Sequence, residues 1–372
     1  GPMSVVYGTD ALAGVINIIT KKGDGYSEEN TWRVGARVQE ESMGKEYDFF
    51  KDKGLHNESI DLGFNHKSGL FVNGGYTRNN HGGWQGDLTG REKRWHPKDQ
   101  ALMNGMFGFQ NRNMNVWYRL DFLDEKIFGP NNGSELQPEK VSDKDFLTKR
   151  YTHQLQSDWK LDNRLDVHAA LSYQDYKRRT RTTESDLSTG EKWLSSAEAS
   201  QDITQYKAWI ARATVAWNIA PEFSVQPGVE YQWTQGEGGR IDGTPKVSDL
   251  AFFLSAEYKP WEWLSLRPGV RTFIVADYDA PIAIPSVLTK FKLTKHMDLR
   301  LSYAYGFRSP TLQELYFSFH NDNHDIDGNP DLKAEYSHNI TGSVAYRVLH
   351  SEKIHLTTTL SGFYNDFRDK IS

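Results

Sequence analysis

Apolar and polar residues alternate strictly along much of the chain. Leu165, Val167, Ala169, Leu171 and Tyr173 fall on one face of an extended segment, with Asp166, His168, Ala170, Ser172 and Gln174 on the other. That period of two is the mark of a half-buried β-strand. It returns in residues 252–258, 299–307, 340–348 and 354–360. In residues 209–217 the repeat reads Trp209, Ala211, Ala213, Val215, Trp217, small apolar residues between two tryptophans. At about 3.3 Å per residue and a tilt of roughly 40°, such a segment spans most of the ~25 Å apolar band of an outer-membrane barrel, with a ring at each interface.

The connections between these segments alternate in length. Tight turns are expected near residues 66–69, 111–113, 162–163, 220–222, 259–262, 296–298 and 350–353. Between them lie long polar segments at 40–57, 79–100, 124–149, 178–202, 235–246 and 308–336, with a shorter one near 277–281. Short turns at one end and long loops at the other describe a transmembrane barrel, whereas a soluble sandwich has no reason to sort its loops this way. The fold class expected is therefore all-β, an antiparallel transmembrane β-barrel. About fifteen strands can be counted, an odd number that would leave an open edge in lipid, so the strands are expected to be part of a larger barrel.

Composition supports this reading. Among 372 residues, aromatics reach 13% while hydrophobic residues make up only 37%, which suits short strands and turns. No run approaches the roughly 18 to 20 apolar residues of a membrane-spanning helix, so a membrane role would use strands. The net charge of -5 and the absence of clustered Lys and Arg argue against a nucleic-acid partner. Cysteine is absent, which removes disulfides, thiolate metal sites and cysteine nucleophiles. The opening Gly1-Pro2 reads as a tag-cleavage scar. Hydrolase elbow, HExxH and Walker A patterns are not found, and the chain is not expected to be an enzyme.

Two segments carry a family resemblance. Residues 5–23, "VVYGTDALAGVINIITKKG", resemble the closing strand of the plug domain in TonB-dependent outer-membrane receptors. Phe307-Arg308-Ser309-Pro310 and Asn329-Pro330-Asp331-Leu332 are similar to paired boxes of that family's haem and cobalamin receptors. The resemblance implies a 22-stranded barrel in the bacterial outer membrane. Residues 1–25 would hold the end of the plug and 26–372 part of the barrel. It implies uptake of a scarce ligand with energy passed by TonB through a segment that precedes the plug. Outer-membrane lipid and, in some members, a surface lipoprotein would be further partners.

The loop between the two boxes is the candidate site. Haem iron takes His or Tyr as axial ligands and its faces suit aromatic walls. His320 and His324 are candidate ligands to haem iron, with Tyr316, Phe319 and Arg308 as further ligand-binding residues. No intrinsic cofactor is expected, and haem would be cargo. Asn323, Asp325, Asp327 and Gly328 also imitate the start of a calcium loop, but Ala334 stands where its closing Glu belongs, and Asx turns explain the same residues. Haem or another iron complex is thus the expected ligand, with cobalamin or a ferric siderophore as alternatives. For a siderophore, Arg178, Arg179 and Arg181 with the Trp and Tyr residues of the external loops are candidates. The reading from a different class is a passive porin or adhesin barrel.

Overall fold

A computed structural model of the chain describes residue 5 and residues 29–197, 199–321, 324–350 and 355–371. Thr31–Glu41 (β1), Leu55–Asn65 (β2), Leu70–His81 (β3), Lys98–Gln110 (β4) and Met114–Gly129 (β5) open the sheet. Two long strands follow, Lys140–Lys160 (β6) and Leu165–Asp186 (β7), with the three-residue Lys192–Leu194 (β8) paired to the far end of β7. Ile203–Ala220 (β9), Phe223–Glu237 (β10), Lys246–Trp261 (β11), Leu264–Ala276 (β12), Ile284–Lys292 (β13) and Met297–Arg308 (β14) continue it. A short helix, Leu312–Tyr316 (α1), and a hairpin of Ser318–Asn321 (β15) with His324–Asp327 (β16) lead to Glu335–His350 (β17) and His355–Arg368 (β18).

All of these strands except β15 and β16, which pair only with each other, form one antiparallel sheet of 16, in which each strand pairs with the next in the sheet and only β8 lies off the path. Among the described residues β1 and β18 do not pair with each other, so the sheet is an arc with two free edges. This matches the all-β barrel architecture and the count of about fifteen read from alternation. Where they cross the apolar band, the strands present one apolar and one polar face. Trp32, Val34, Ile60, Leu62, Val72, Phe107, Leu171, Trp209, Trp217, Phe252, Leu254 and Ile340 stand exposed on one side, where lipid rather than water is their natural surroundings.

The other side carries Arg, Glu, Asp, Asn and Thr, and it is the concave one. Side chains from neighbouring strands meet there: Arg271 of β12 reaches across β11 to Glu230 of β10 at 2.7 Å, and Arg212 of β9 reaches the same carboxylate at 3.2 Å. Phe71, Met106 and Trp117 bury one another on that side. Ile284, Phe307 and Ala334 form a second buried cluster against Phe273 and Tyr278 near the long-loop end.

Two segments that the sequence assigns to loops contain long strand extensions. Residues 124–149 and 178–202 read as connections because both faces are polar, yet β5 continues to Gly129, β6 begins at Lys140 and β7 runs to Asp186. Ladder hydrogen bonds need no apolar face. Once a hairpin rises above the apolar band, both faces meet water, so alternation fades while pairing continues through Gly129 opposite Lys144 and Lys144 opposite Thr182. Of the expected plug segment 5–23, only Val5 is described, buried beside Gly269; its other residues, like turn residues 351–353, lie outside the described residues.

Candidate ligand-binding site

The long segment between β14 and β17 is built as a braced lid. Thr311 caps α1: its hydroxyl accepts the Glu314 N–H at 3.2 Å, and the Glu314 carboxylate accepts the Thr311 N–H at 2.7 Å, a reciprocal capping box. Leu312 and Leu315 are buried beneath the helix. Arg308, the last residue of β14, donates to both oxygens of Glu314 at 2.9 and 3.0 Å and to Glu335 of β17 at 2.9 Å. One guanidinium therefore ties two strands and the helix together. The Gly328 N–H closes the β15–β16 hairpin onto the Phe317 carbonyl at 2.6 Å, and Asn329 N–H donates to the Glu314 carbonyl at 3.0 Å.

Gly328 is required by that close approach. A Cβ there would lie 2.7 Å from the backbone of Leu315 and Phe317. We expect Gly328→Ala to loosen the lid by about 1 to 3 kcal/mol without changing the unfolding of the barrel, a local effect that limited proteolysis of the folded protein would reveal.

Glu314 gives the lid a pH dependence. Its partial burial works to raise its pKa, but hydrogen bonds from Arg308 and Thr311 outweigh burial and hold it below its ordinary value of 4.5. A carboxylate depressed in the folded state contributes stability that is complete above its unfolded pKa and is lost as pH falls through the folded value. Acidification below 4.5 should accordingly speed amide hydrogen exchange in residues 311–319 before it does so in the barrel strands.

A second external loop joins the lid. Ser318 N–H donates to the Arg240 carbonyl at 3.0 Å and Asp242 N–H to the Tyr316 carbonyl at 3.2 Å, while Ile241 bridges Phe317. Together these loops overhang the concave faces of β6, β7 and β9 and enclose a cavity of about 690 Å³. Its wall is Lys144 and Phe146 of β6, Tyr176 and Arg178 of β7, and Thr204 and Tyr206 of β9; its roof is Arg240, Gln313, Phe317 and Phe319.

The chemistry of the cavity is cationic and aromatic. Arg178 lies 4.4 Å over the Phe146 ring and Arg240 4.2 Å over the Phe319 ring, so each guanidinium is oriented by a π-face while its N–H groups stay available. Among the described residues neither Arg178, Arg240 nor Lys144 has a carboxylate within ion-pair distance, and Asp202 is the acidic residue on the wall. Tyr176 and Tyr206 face each other at 6.2 Å between ring centres. Such a volume, with three cations and five aromatic rings, suits an anionic aromatic ligand of a few hundred daltons. A larger space of about 1120 Å³ lies at the opposite, tight-turn end, lined by Trp261, Trp263, Lys290 and Arg300; it is not covered by the long loops.

The residues expected from sequence divide as follows. Phe319 lines the cavity. Arg308 braces the lid through two carboxylates of this chain, and Tyr316 ends α1 half-buried beside the lining residues. His320 and His324 sit in the backbone of the β15–β16 hairpin, His320 opposite Asp325 and Asn321 opposite His324; their side chains, and Asn323, lie outside the described residues. Of the three arginines in β7, alternation turns Arg178 inward, while Arg179 and Arg181 take the outer face, where Arg181 pairs with Asp145. Among the described residues no three His, Asp or Glu side chains gather as a metal site. Phe317, one of the aromatics beside His320, lines the cavity as well, while Arg240, Phe146, Tyr176 and Tyr206 are not anticipated from the sequence. Period-two parity with Arg178 would have found Tyr176, but the loop residues meet only in three dimensions.

Comparison with known proteins points to one family. Residues 226–372 match the family model described as TonB dependent receptor-like, beta-barrel. An iron-regulated outer membrane virulence protein of Vibrio cholerae is 26% identical over 392 aligned residues, covering all of this chain and 52% of the relative. Residues 226–372 belong to the TonB-dependent receptor barrel family. As a TonB-dependent receptor barrel the chain resides in the bacterial outer membrane, and its family is one of transport receptors rather than enzymes. A hemoglobin and hemoglobin-haptoglobin-binding protein of Haemophilus influenzae is 38% identical over 78 residues, 21% of this chain and 7% of that one. The crystal structure of the siderophore receptor PirA from Pseudomonas aeruginosa superposes with a TM-score of 0.70 at 14% identity, covering 99% of this chain and 60% of that one. The receptor chain thus spans about half the length of the curated relatives it matches along its whole length.

Proposed function

We propose that this receptor takes up an anionic iron complex, in first place a ferric siderophore whose chelating groups are aromatic. The observation that carries the reading is the convergence of Lys144, Arg178 and Arg240, uncompensated by ion pairs among the described residues, on a cavity walled by Phe146, Tyr176, Tyr206, Phe317 and Phe319. A ferric catecholate is net negative and presents flat aromatic rims, so it answers charge and shape together. Guanidinium groups already poised over rings need little reorganisation to receive it. The Vibrio relative is named for iron regulation and PirA as a siderophore receptor, which agrees with this cargo. The ligand would enter under the braced lid, and TonB would supply the energy for passage by rearranging a plug whose last strand residues 5–23 resemble.

Haem is the second reading. It too is an anionic aromatic iron complex, the Haemophilus relative is named for hemoglobin binding, and the hairpin tip carries His320 and His324 as axial-ligand candidates. Titration of the intact receptor with ferric catecholate, haemin and cyanocobalamin, followed by tryptophan quenching and visible absorption, separates the cases. The first reading expects the ferric catecholate to bind at least about tenfold more tightly than haemin. A haemin Soret shift lost in His320→Ala/His324→Ala would favour the second, and binding of cyanocobalamin alone would sink both.

A further inference from the structure

The cationic cavity shares Ala199, Asp202 and Phe319 with a second space of about 540 Å³. The chemistry changes at that boundary. Among the described residues no Lys or Arg lines the second space; Ser195, Ser196, Gln201 and Ser318 surround the Asp202 carboxylate instead.

These groups stand on a fixed wall. Ser195 N–H donates to the Thr182 carbonyl at 3.0 Å and Thr182 N–H to the Ser200 carbonyl at 2.9 Å, while the Gln201 side chain donates to the Thr182 and Ser195 carbonyls at 2.8 and 3.3 Å. The segment leading into β9 is thereby tied to β7, so its hydroxyls meet a ligand already in place. Asp202 accepts the Gly239 N–H at 2.7 Å and the Thr204 hydroxyl at 3.3 Å, and no cation among the described residues pairs with it. A carboxylate without a counter-ion repels an anion, so this end of the combined cavity turns away the charged part of the cargo. The same carboxylate accepts strong hydrogen bonds from neutral hydroxyls. Serine hydroxyls both donate and accept, and the Phe319 ring at the boundary gives a saturated ring an apolar face to lie on.

We infer that the second space is a subsite for a neutral polyhydroxyl group, such as a sugar, carried on the iron chelate, with Asp202 as its specificity-determining residue. The inference rests on the anionic-chelate reading of the neighbouring cavity and narrows its cargo. A ligand that fills both spaces carries its charge and aromatic rims towards Arg178 and Arg240 and its hydroxyls towards Asp202. A chelate without hydroxyls there leaves the carboxylate facing an anion, which disfavours it.

The test titrates the intact receptor with a ferric catecholate and with the same chelate bearing a glucosyl group, followed by tryptophan quenching. The glucosylated chelate should bind at least about tenfold more tightly, the gain from one hydrogen bond to a charged group. Asp202→Asn should bind the bare chelate about two- to fivefold more tightly, because a repelling charge is gone, and should lose most of the preference. A residue that merely held the loop would lower both affinities together. Ser196→Ala/Ser318→Ala should bring the ratio of the two affinities to within about threefold. Equal affinities in the wild type, or parallel losses in Asp202→Asn, would overturn the subsite while leaving the cargo reading intact. Binding of glucose alone at micromolar concentration would overturn it as well, since the space would then be a sugar site with no tie to iron. If neither chelate binds, the cargo reading fails and takes this inference with it.

Discussion

Replacing Glu230 with alanine should destabilise the intact receptor by about 3 to 5 kcal/mol, the cost of breaking a buried ion pair by removing one partner. Glu230 is 3% exposed and Arg271, which donates to it at 2.7 Å, is 1% exposed. Arg212 holds the second carboxylate oxygen at 3.2 Å, and Gln232 donates to the first at 3.0 Å. Without Glu230, the buried Arg271 guanidinium would lose the carboxylate that it meets at 2.7 Å. Aromatic faces do not replace it: Arg212 and Arg271 lie 4.8 and 5.7 Å from the Phe253 ring, and such contacts are worth about 0.5 to 2 kcal/mol each. Phe253 itself is pinned over Gly228, where a Cβ would meet the ring at 2.2 Å. Glu230→Gln keeps the shape and some hydrogen bonds and should cost less. Denaturant unfolding in detergent, followed by tryptophan fluorescence, measures both. A loss under about 1 kcal/mol for the alanine variant would mean that water reaches the cluster freely.

The second large effect is expected in binding rather than stability. Arg178→Ala/Arg240→Ala should weaken the ferric catecholate by about a hundredfold or more, since each hydrogen bond to a charged group contributes about 1.5 to 3 kcal/mol. The two residues sit on different elements, β7 and the β10–β11 loop, and approach the cavity from wall and roof. Neither is held by a carboxylate among the described residues, so the unfolding midpoint should stay near wild type. A parallel fall in stability would instead make these arginines part of the scaffold. Arg308→Ala makes the contrast: it strands Glu314 and Glu335, so lid exchange should rise before affinity falls.

The sheet was legible because a lipid-facing barrel writes its two faces into the sequence with period two, and Trp209 to Trp217 or Leu165 to Tyr173 could be read directly. Its polar extensions were not, because β6 and β7 beyond the apolar band face water on both sides and keep only backbone pairing. The site was half legible. The lid between Arg308 and Glu335 could be located from its flanking boxes and its aromatics, and Phe319 does line the cavity. Arg308 reads as a ligand contact in one dimension, whereas its two carboxylates, six and 27 positions away, make it a brace. Arg240 had no local signal at all. It enters the cavity only because the β10–β11 loop bridges to Phe317, a contact between residues 76 positions apart that no periodicity encodes.

Where the cargo sits can be decided by iron-edge anomalous diffraction from crystals of the intact receptor soaked with a ferric catecholate. If the anionic complex is held by the cations and rings of the external cavity, one strong iron peak should appear there, between Arg178 and Arg240 and beneath Phe319. A peak at the tight-turn end near Lys290 and Arg300, or an empty cavity in crystals whose protein binds the complex in solution, would be incompatible with that placement.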